Sequence, residues 1–312
     1  PADPDSDRRS FGEWLGARPA ASAAATAALW DLILRPTCNL PAEECSLSMA
    51  AKVFRTGLFE TPGGGDIGWS RVPLWELHGS PALAALRRAG ATVLTGSTAG
   101  QVRAGRGGRL VVHCDGTELD ADAVVLAVPH QALRGLLPGG ALDVAVEDLG
   151  SSPVVNVQVV YDRRVTELPV AAALGSPVQW VFDRTSATGL SEGQCLGVSL
   201  SAADEWLGRR PHELVERFTV ALCELFPSAM PARVLDAVVT KERWATFAAR
   251  PGTAALRPGT RTGTPGLFLA GSWTDTGWPA TMEGAVRSGV AAARAALVAV
   301  DHHRALPEEV PA

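Results

Sequence analysis

The sequence predicts an α/β protein in which two strands of a parallel sheet enclose an inserted α+β region. Two short apolar runs, DADAVVLAVP at 120–129 and GLFLAGS at 266–272, are typical of parallel strands that are buried on both faces. Between them, SSPVVNVQVV at 151–160 alternates apolar and polar residues, which is typical of an antiparallel strand. A chain of 312 residues is long enough for about two domains.

Composition excludes several classes of function. The 33 acidic residues outnumber the 28 basic ones, so we expect no nucleic-acid partner, which would require a basic surface. No uninterrupted apolar run reaches the roughly 20 residues of a membrane-spanning helix. The chain opens without an apolar signal segment, which predicts a cytoplasmic location. The five cysteines have no CxxC spacing and the histidines no ligand spacing, so we expect reduced thiols and no metal.

The amino-terminal region is predicted to be helical. Residues 11–34 carry Trp and Leu at helical spacing in an Ala-rich background, and we expect helices broken at Pro19. A further helix is expected directly after Pro41. Residues 61–73, TPGGGDIGWSRVP, are a loop by their Pro and Gly content.

In the next stretch the spacing of apolar residues changes from a helical to a strand-like pattern. Residues 75–89 suit a helix with Ser80 as N-cap and Gly90 as its end. ATVLTGS at 91–97 is then predicted as a strand, and 100–119 as a hairpin with a glycine-rich turn.

The middle of the chain is predicted to be an antiparallel sheet with a packed helix, followed by a long final helix. The strands are expected at 151–160, 176–184, 193–201 and 233–247, and the helices at 210–227 and 279–300. Leu214, Phe218, Leu222 and Leu225 share one face of the first helix, which therefore packs on the sheet. The tail from Asp301 is expected to fray.

Residues 267–289, LFLAGSWTDTGWPATMEGAVRSG, carry the strongest functional signal. The apolar strand ends at Ala270 and Gly271, where a glycine lets the backbone approach a ligand closely. The loop leads into a helix that begins near Met282. A helix N-terminus offers unbonded N–H groups and a partial positive charge, which suit the oxygens of a nucleotide cofactor.

This stretch resembles the carboxyl-terminal FAD-binding motif of the FAD-dependent amine oxidase and phytoene desaturase superfamily. Three longer strings resemble the narrower hydroxysqualene dehydroxylase family (squalene-associated FAD-dependent desaturases). They are KVFRTGLFETPGGGDIGWSRVPLWELHG at 52–79, DAVVLAVP at 122–129 and ALGSPVQWVFDRT at 173–185. The resemblance implies FAD as cofactor, bound by a Rossmann-like FAD/NAD(P)-binding domain with an inserted α+β substrate domain.

The resemblance also implies that this cofactor domain is incomplete. The family holds the FAD pyrophosphate on a strand, a glycine-rich turn and a helix. The one GxGxxG, at 63–68, follows Thr61-Pro62 instead of a strand and precedes no helix, so we reject it as that turn. We therefore expect a fragment whose parallel sheet has an open edge and which binds FAD poorly or not at all.

On this basis the chain alternates between two domains. Substrate-domain helices are expected in 1–75, a first FAD-domain segment in 76–140, the substrate-domain sheet and helices in 141–249, the final FAD-binding strand and helix in 250–300, and a tail in 301–312.

Cofactor contacts follow from the resemblance residue by residue. Contacts with the ribityl–pyrophosphate region are implied for Ala270, Gly271, Ser272 and Trp273, contacts at the flavin end for Thr281, Met282, Glu283 and Gly284, and a contact with adenine for Ala99. Ser272 stands where many relatives carry an acidic residue, so weaker binding is expected. Asp275 either replaces that acid at a flavin hydroxyl or caps the loop.

The implied reaction is reductive removal of the hydroxyl of hydroxysqualene, giving squalene for hopanoid biosynthesis. Its hydrophobic isoprenoid substrate needs an apolar tunnel, which Phe54 and Trp180 line unless they are ordinary core. The departing hydroxyl needs an acid or hydrogen-bond donor, for which Asp66, Trp69 and Arg71 are candidates. Asp66 alternatively caps a turn.

Two other functions stay open on the sequence. One is a carotenoid-type desaturase that runs the flavin oxidatively, and the other is a non-catalytic, truncated remnant. An amine substrate is disfavoured, because the longer strings match the squalene enzymes. Peripheral contact with the inner face of the membrane would suit so apolar a substrate, although no basic amphipathic helix indicates it. Neither an oligomeric state nor an electron donor is indicated.

Overall fold

The computed structural model of the chain describes residues 4–18, 22–60 and 62–305. The α-helical segments, in chain order, are α1 Phe11–Gly16, α2 Ala23–Ala25, α3 Asp31–Cys38, α4 Leu47–Phe54, α5 Ser80–Arg88, α6 Leu133–Leu136, α7 Thr185–Thr188, α8 Asp204–Leu207, α9 Pro211–Leu225 and α10 Met282–Ala305. The strands are β1 Ala99–Ala104, β2 Leu110–Cys114, β3 Thr117–Ala121, β4 Val124–Leu126, β5 Ser152–Tyr161, β6 Val170–Ala172, β7 Trp180–Asp183, β8 Gln194–Ser201, β9 Val234–Thr246 and β10 Leu267–Leu269. Within these ranges, no helix combines the length and the hydropathy needed to cross a membrane.

β4 and β10 form a two-stranded parallel sheet, in which Val124 pairs with Leu267 and Leu126 with Leu269. These four side chains are buried in a core that also includes the amino-terminal helices. The predicted pair of parallel strands is therefore confirmed. The first strand is shorter than predicted, because the residues at 120–121 pair with β2 as part of β3.

The inserted region is a five-stranded antiparallel sheet with the strand order β6-β7-β8-β5-β9. One face packs on α9, whose Leu214, Phe218 and Leu222 are buried there, while Leu225 lies at the margin. The predicted sheet and helix face are confirmed. Strand β6 was not predicted, because its VAA sequence shows neither alternation nor a long apolar run.

The segment at 91–97 is not the predicted strand. It is exposed along its length, including Val93 and Leu94, and the chain enters a strand only at Ala99. A strand needs a neighbour to satisfy its backbone hydrogen bonds, and no strand of the described residues pairs with this segment. The predicted hairpin at 100–119 is confirmed, as part of the three-stranded sheet β1-β2-β3.

Two helices begin elsewhere than predicted. α4 begins at Leu47 and not after Pro41, because the intervening residues form a turn bonded to the start of the chain. The helix predicted within 75–89 runs from Trp75 through a π-helical turn directly into α5, so Ser80 lies inside the helix and is not the predicted N-cap at its start. Gly90 ends it with φ +75°, as predicted. The last helix extends beyond its predicted end, to 305, whereas the predicted break at residue 19 and the tail at 306–312 lie outside the described residues.

Asn39 connects the helical region to the inserted sheet. It ends α3 in the left-handed conformation, with φ +54° and a side chain that is only 3% exposed. Its Nδ2 donates to the carbonyl oxygen of Ser152 (2.9 Å) and to Oγ1 of Thr246 (3.0 Å), and its Oδ1 accepts from the N–H of Ala202 (2.6 Å). One amide thus bonds residues in β5 and β9 and just after β8.

We predict that Asn39→Ala lowers the free energy of unfolding by about 3 kcal/mol, because it leaves buried polar groups unbonded and replaces asparagine with a residue that tolerates a positive φ less well. Asn39→Gly keeps the backbone conformation and should lose about 2 kcal/mol through the side-chain bonds alone. Urea unfolding measures both changes. Asn156→Ala is the control: its amide makes one exposed contact, of 3.5 Å with Thr240. Equal losses in Asn39→Ala and Asn156→Ala would contradict the assignment.

Candidate functional site

The carboxyl ends of β4 and β10 border a cavity of about 250 Å³. It is lined by residues of three segments, 127–131, 244–247 and 271–273. In open α/β sheets, ligands bind in the crevice outside the carboxyl ends of parallel strands. This cavity is therefore the candidate functional site.

Trp273 joins the two strand ends. Its indole Nε1 donates to the carbonyl oxygen of Val128 (2.9 Å), and the ring is buried. Gly271 has φ +144°, and a β-carbon there would lie 2.3 Å from that Nε1. The glycine is therefore required by the indole that folds over it. The N–H of Gly271 donates to Oγ of Ser288 (2.8 Å), which attaches the same bend to α10.

Arg257 holds the loop that follows β10. Its guanidinium is 7% exposed, and it donates to backbone oxygens and one hydroxyl of the loop. The acceptors are the carbonyl oxygens of Ser272 (3.3 Å), Trp273 (3.2 Å), Thr274 (2.5 Å) and Trp278 (3.0 Å), and Oγ1 of Thr276 (3.4 Å). It also lies 4.7 Å over the ring of Phe247. Burial lowers the pKa of this guanidinium, and the carbonyl dipoles replace the water that it has lost.

The start of α10 is capped by Thr281. Its Oγ1 accepts from the N–H of Gly284 (3.2 Å), and a β-carbon on Gly284 would lie 2.9 Å from the carbonyl oxygen of Pro279. Met282 is exposed, and Glu283 pairs with Arg287 (2.7 Å). The positive end of a 24-residue helix therefore lies directly after the loop that Arg257 fixes.

The other residues predicted to contact the cofactor lie in different environments. Ser272 lines the cavity. Ala270 is buried with Ala292 of α10. Asp275 is exposed, and its charge raises the pKa of Arg257. Ala99 is an exposed residue at the start of β1, opposite Cys114. The cofactor contacts assigned to these residues remain predictions.

His130 lies in the wall of the cavity, buried beside Trp273 with a ring-to-ring distance of 6.3 Å. Burial lowers the pKa of this imidazole, against the opposing effect of a hydrogen bond with the backbone of Gly150. The neutral form is therefore the one that the folded protein holds.

The candidate donors Asp66, Trp69 and Arg71 lie on an exposed loop. Trp69 and Arg71 line a separate cavity of about 680 Å³, together with Asp183 of the inserted sheet. The Asp66 carboxylate folds back over its own turn, with Oδ2 3.2 Å from the position of a β-carbon on Gly63. This placement favours the turn-capping interpretation of Asp66.

Phe54 belongs to a cluster of aromatic rings that lines the largest of the described cavities, about 890 Å³. Its ring centroid lies 5.6 Å from that of Phe11 and 5.3 Å from that of Trp30. Trp180 lies elsewhere, stacked on Phe182 at 6.4 Å and lining a cavity between the sheet and the amino-terminal helices.

Trp278 connects the aromatic cavity to the loop of the candidate site. Its ring lies between two cations, Nζ of Lys52 at 5.0 Å and the guanidinium of Arg287 at 4.5 Å. Lys52 lines the aromatic cavity, Arg287 is on α10, and the carbonyl of Trp278 accepts from Arg257. Cation–π contacts of this kind contribute about 0.5–1 kcal/mol each at exposed sites.

Fold and site define the class: an α/β protein of the FAD-binding type with an inserted antiparallel sheet. The model of the family described as "Flavin containing amine oxidoreductase" matches residues 1–297. The chain therefore belongs to the flavin-containing amine oxidoreductase family, and the cofactor of the class is FAD.

The chain is similar in sequence to two kinds of enzyme, hydroxysqualene dehydroxylases and phytoene desaturases. The chain is 38% identical over 176 residues to a hydroxysqualene dehydroxylase of Sinorhizobium fredii, covering 56% of this chain and 39% of that protein. It is 30% identical over 284 residues to one of Zymomonas mobilis, covering 86% and 63%. A 15-cis-phytoene desaturase of Capsicum annuum is 28% identical over 195 residues, covering 58% and 34%. The chain thus spans about two fifths of the Sinorhizobium fredii relative.

A solved structure shows the same fold. Cyclohexylamine oxidase from Brevibacterium oxydans superposes with a TM-score of 0.65 at 18% identity, covering 95% of this chain and 70% of that one. The expected fold class and family are confirmed. The domain boundaries remain a prediction.

The described residues fit one end of FAD. The glycine bend at 271 and the loop fixed by Arg257 suit the ribityl–pyrophosphate region, and the start of α10 suits the flavin end. A cavity of about 250 Å³ is smaller than whole-ligand pockets, which begin at about 300 Å³, so it has room for only part of a dinucleotide. The glycine-rich run at 63–68 lies in an exposed loop after a helical turn, Arg55–Glu60, which confirms its rejection as the pyrophosphate turn.

Three residues of the site were missed from the sequence: Lys52, His130 and Arg257. Arginine is common in this chain, so Arg257 had no distinguishing context. The Pro129-His130 pair directly after a buried strand gave a signal that could have been used, because a strand end of this kind borders the crevice. Lys52 is one of only two lysines but stands in an ordinary helical pattern.

We predict that Arg257→Met abolishes the protection of loop amides at 272–278 against hydrogen exchange, because it removes the two nitrogens, Nε and Nη2, that donate all five hydrogen bonds to the loop. Arg257→Lys should recover less than half of that protection, since an ammonium lacks the planar fork. Arg261→Met is the control: that guanidinium lies over the ring of Phe268 at 5.7 Å and is exposed. Exchange mass spectrometry resolves the loop, and unchanged protection in Arg257→Met would refute the assignment.

The low pKa of His130 gives a pH dependence of stability. Its contribution is fully present above the ordinary histidine value of about 6.5, where both states are neutral, and is lost as pH falls toward the folded-state value. We expect the free energy of unfolding to fall less steeply between about pH 7 and pH 5 in His130→Gln than in the wild type. Urea unfolding at stepped pH measures it, and parallel curves would contradict it. His113→Gln, at a half-buried position of β2 beside Glu118, is the control.

Proposed function

We propose that the chain belongs to an FAD-dependent oxidoreductase that removes the hydroxyl group of hydroxysqualene and yields squalene, a step of hopanoid biosynthesis. The observation that carries this proposal is the aromatic cavity beside the cofactor loop, joined to it through Lys52 and Trp278. Its volume of about 890 Å³ lies in the upper range of ligand pockets. The names of the Sinorhizobium fredii and Zymomonas mobilis relatives support the substrate class.

The reaction breaks one C–O bond and forms one C–H bond at the same carbon, while the hydroxyl leaves with a proton as water. FAD, when bound in its reduced form, supplies the hydride. The chain's own residues then have three tasks. The loop and the start of α10 orient the cofactor, the aromatic rings around Phe54 keep water from the hydrocarbon, and a donor binds the departing oxygen.

We propose that one of four side chains is the donor to the departing oxygen. Asp66, Trp69 and Arg71 lie on a loop that follows, in the sequence, the residues that line the aromatic cavity. Lys52 is added by the structure, because it lines that cavity and contacts the ring of Trp278. An ammonium group can donate to a hydroxyl oxygen and stabilise the charge that develops there.

A second candidate function is oxidative desaturation of a carotenoid-type hydrocarbon. The similarity to the phytoene desaturase of Capsicum annuum favours it, and the same apolar cavity would serve it. We further propose that a dinucleotide-binding part outside the described residues completes the cofactor site. Contact of the enzyme with a membrane surface, where its apolar substrate dissolves, is part of the proposal.

We predict squalene as the product when the whole enzyme, in which the dinucleotide-binding part completes the cofactor site, is incubated with hydroxysqualene and with FAD that has been reduced anaerobically beforehand. Phe54→Asp should lower conversion at least about tenfold, because a carboxylate in the cavity is costly to desolvate. Phe54→Leu should retain most of it. Gas chromatography with mass detection measures the product. Desaturated phytoene formed with oxidised FAD would favour the second candidate, and a colourless whole enzyme without either product would refute both in favour of a non-catalytic remnant.

A further inference from the structure

The aromatic cavity has a polar side as well as an apolar one. The rings of the apolar side contact one another at centroid distances of 5.3–5.6 Å, and they are Phe11, Trp14, Trp30 and Phe54. The polar side is lined by two hydroxyls and two cations, which are Ser6, Arg9, Ser48 and Lys52. A neutral hydrocarbon needs rings of this kind but no cations. The wall of the cavity is therefore amphipathic, and its polar side is unexplained by the hydrocarbon alone.

Helix α4 places the two sides next to each other. Ser48 and Lys52 are one turn apart, and Leu47 and Phe54 form a second line along the same helix, so both lines border the cavity. Arg9 is attached to the start of this helix, because its carbonyl oxygen accepts from the N–H of Leu47 (2.9 Å). The helix rises by only about 7.5 Å from Leu47 to Lys52. Long arginine and lysine side chains at these two points can therefore contact one small anion together.

Neither cation of the polar side is neutralised by a carboxylate in the part of the chain that the structure describes. Nζ of Lys52 lies 5.0 Å from the ring centroid of Trp278 and forms no ion pair there. The guanidinium of Arg9 has no ion-pair partner in that part of the chain either. The adjacent Arg8, which does not line the cavity, pairs with Asp5 (3.5 Å). The two cations in the wall thus differ from their neighbour in having their charge unbalanced.

Two carboxylates near the cavity are occupied by other donors. Glu60, the acidic residue in the lining, pairs with Arg55. Asp7 accepts from Oγ of Ser48 (3.0 Å) and from the N–H of Ala254 (3.0 Å). The positive charge of the polar side therefore remains in excess. A cleft with an excess of one charge attracts ligands of the opposite charge, so the complementary ligand carries an anionic group.

We propose that the aromatic cavity binds a long-chain carboxylate, whose apolar chain lies among the rings and whose head lies between Arg9 and Lys52. A guanidinium binds a carboxylate through two parallel hydrogen bonds, and an ammonium group donates a further one. The eight residues of α4 extend for about 12 Å, which gives an apolar chain a continuous wall. Each buried CH₂ group of that chain strengthens binding roughly fourfold.

The bound carboxylate has a consequence for the reaction. Its chain occupies the rings that would hold a hydrocarbon, and its head neutralises Lys52, one of the candidate donors to the departing oxygen. The carboxylate is therefore an inhibitor that competes with the hydrocarbon. Binding of the carboxylate stands on the cavity and its two cations alone, and only the competition rests on the proposed function.

The test compares dodecanoate with dodecanol, which share a chain and differ in charge. Each displaces cis-parinarate, a fluorescent fatty carboxylate excited by energy transfer from tryptophan, from the full chain. We expect dodecanoate to bind at least about tenfold more tightly than dodecanol at low salt. The difference should shrink at roughly 1 M ionic strength, where charges are screened beyond about 3 Å. Hexanoate should bind at least about a hundredfold more weakly than dodecanoate, because it buries six fewer CH₂ groups.

Variants assign the binding to this cavity. Arg9→Met and Lys52→Met should each weaken dodecanoate at least about fivefold and change the affinity for dodecanol by less than about twofold. Arg8→Met is the matched control, because it removes the adjacent arginine, which is paired with Asp5 outside the lining. It should leave both affinities within about twofold. Circular dichroism verifies that each variant is folded, and the comparison of ligands on the wild type needs no variant.

Several binding results would overturn the proposal. They are equal affinities for dodecanoate and dodecanol, equal effects of Arg8→Met and Arg9→Met, or dodecyl phosphate bound at least about tenfold more tightly than dodecanoate. The last result would assign the two cations to a phosphate head.

The whole enzyme with reduced FAD tests the competition. Dodecanoate should raise the KM for hydroxysqualene and leave kcat unchanged, and squalene formation unaffected by saturating dodecanoate would overturn the shared cavity. Dodecanoate bound as expected by an enzyme that forms no squalene would leave the carboxylate site standing and refute the proposed function.

Discussion

The parallel pairing of β4 with β10 is the constraint on which the rest of the molecule depends. It joins two segments that flank the inserted sheet in the sequence. The chain between them must therefore leave the parallel sheet at β4 and return to it at β10. Three hydrogen-bonded residue pairs are a small contact for that task. The pairing persists because all of its side chains except Val125 are buried, against the amino-terminal helices on one face and α10 on the other. The crevice at the strand ends is a consequence of that arrangement.

Two buried polar side chains then turn this small sheet into a defined site. Trp273 joins the two strand ends with one hydrogen bond, and Arg257 donates hydrogen bonds to the carbonyl groups of the loop after β10. Because a buried guanidinium needs acceptors, the loop has few alternative conformations that satisfy it. Asn39 bonds the inserted sheet beside the same crevice, which Thr246 lines: its single amide bonds to residues of three neighbouring strands or their ends. The two networks keep the inserted sheet and the crevice in a fixed relation.

Local pattern was enough to predict most of the elements of the fold. The alternation in β5, the continuous apolar run of β10 and the face of α9 follow from burial, which leaves a period in the sequence. The predictions were wrong where the structure of a segment depends on contacts with residues that are distant in the sequence. The segment at 91–97 has a strand-like composition but no neighbour to bond, and Ser80 has a capping residue's chemistry inside a longer helix. The site was predicted where backbone geometry is encoded locally, as at Gly271. Arg257 and Lys52 were missed, because their roles depend on acceptors and rings that only the tertiary structure brings near.

Trp278 contacts both the wall of the aromatic cavity and the residues that hold the loop after β10. Its ring is held by one cation from the wall of the cavity and another from α10, while its backbone is held by Arg257. Lys52 lies on α4 in the wall of the cavity, so a shift of α4 would move a cation that contacts the Trp278 ring. The carbonyl oxygen of Trp278 accepts from Arg257, which holds the loop after β10. The wall of the aromatic cavity and that loop therefore have a single tryptophan as their common contact.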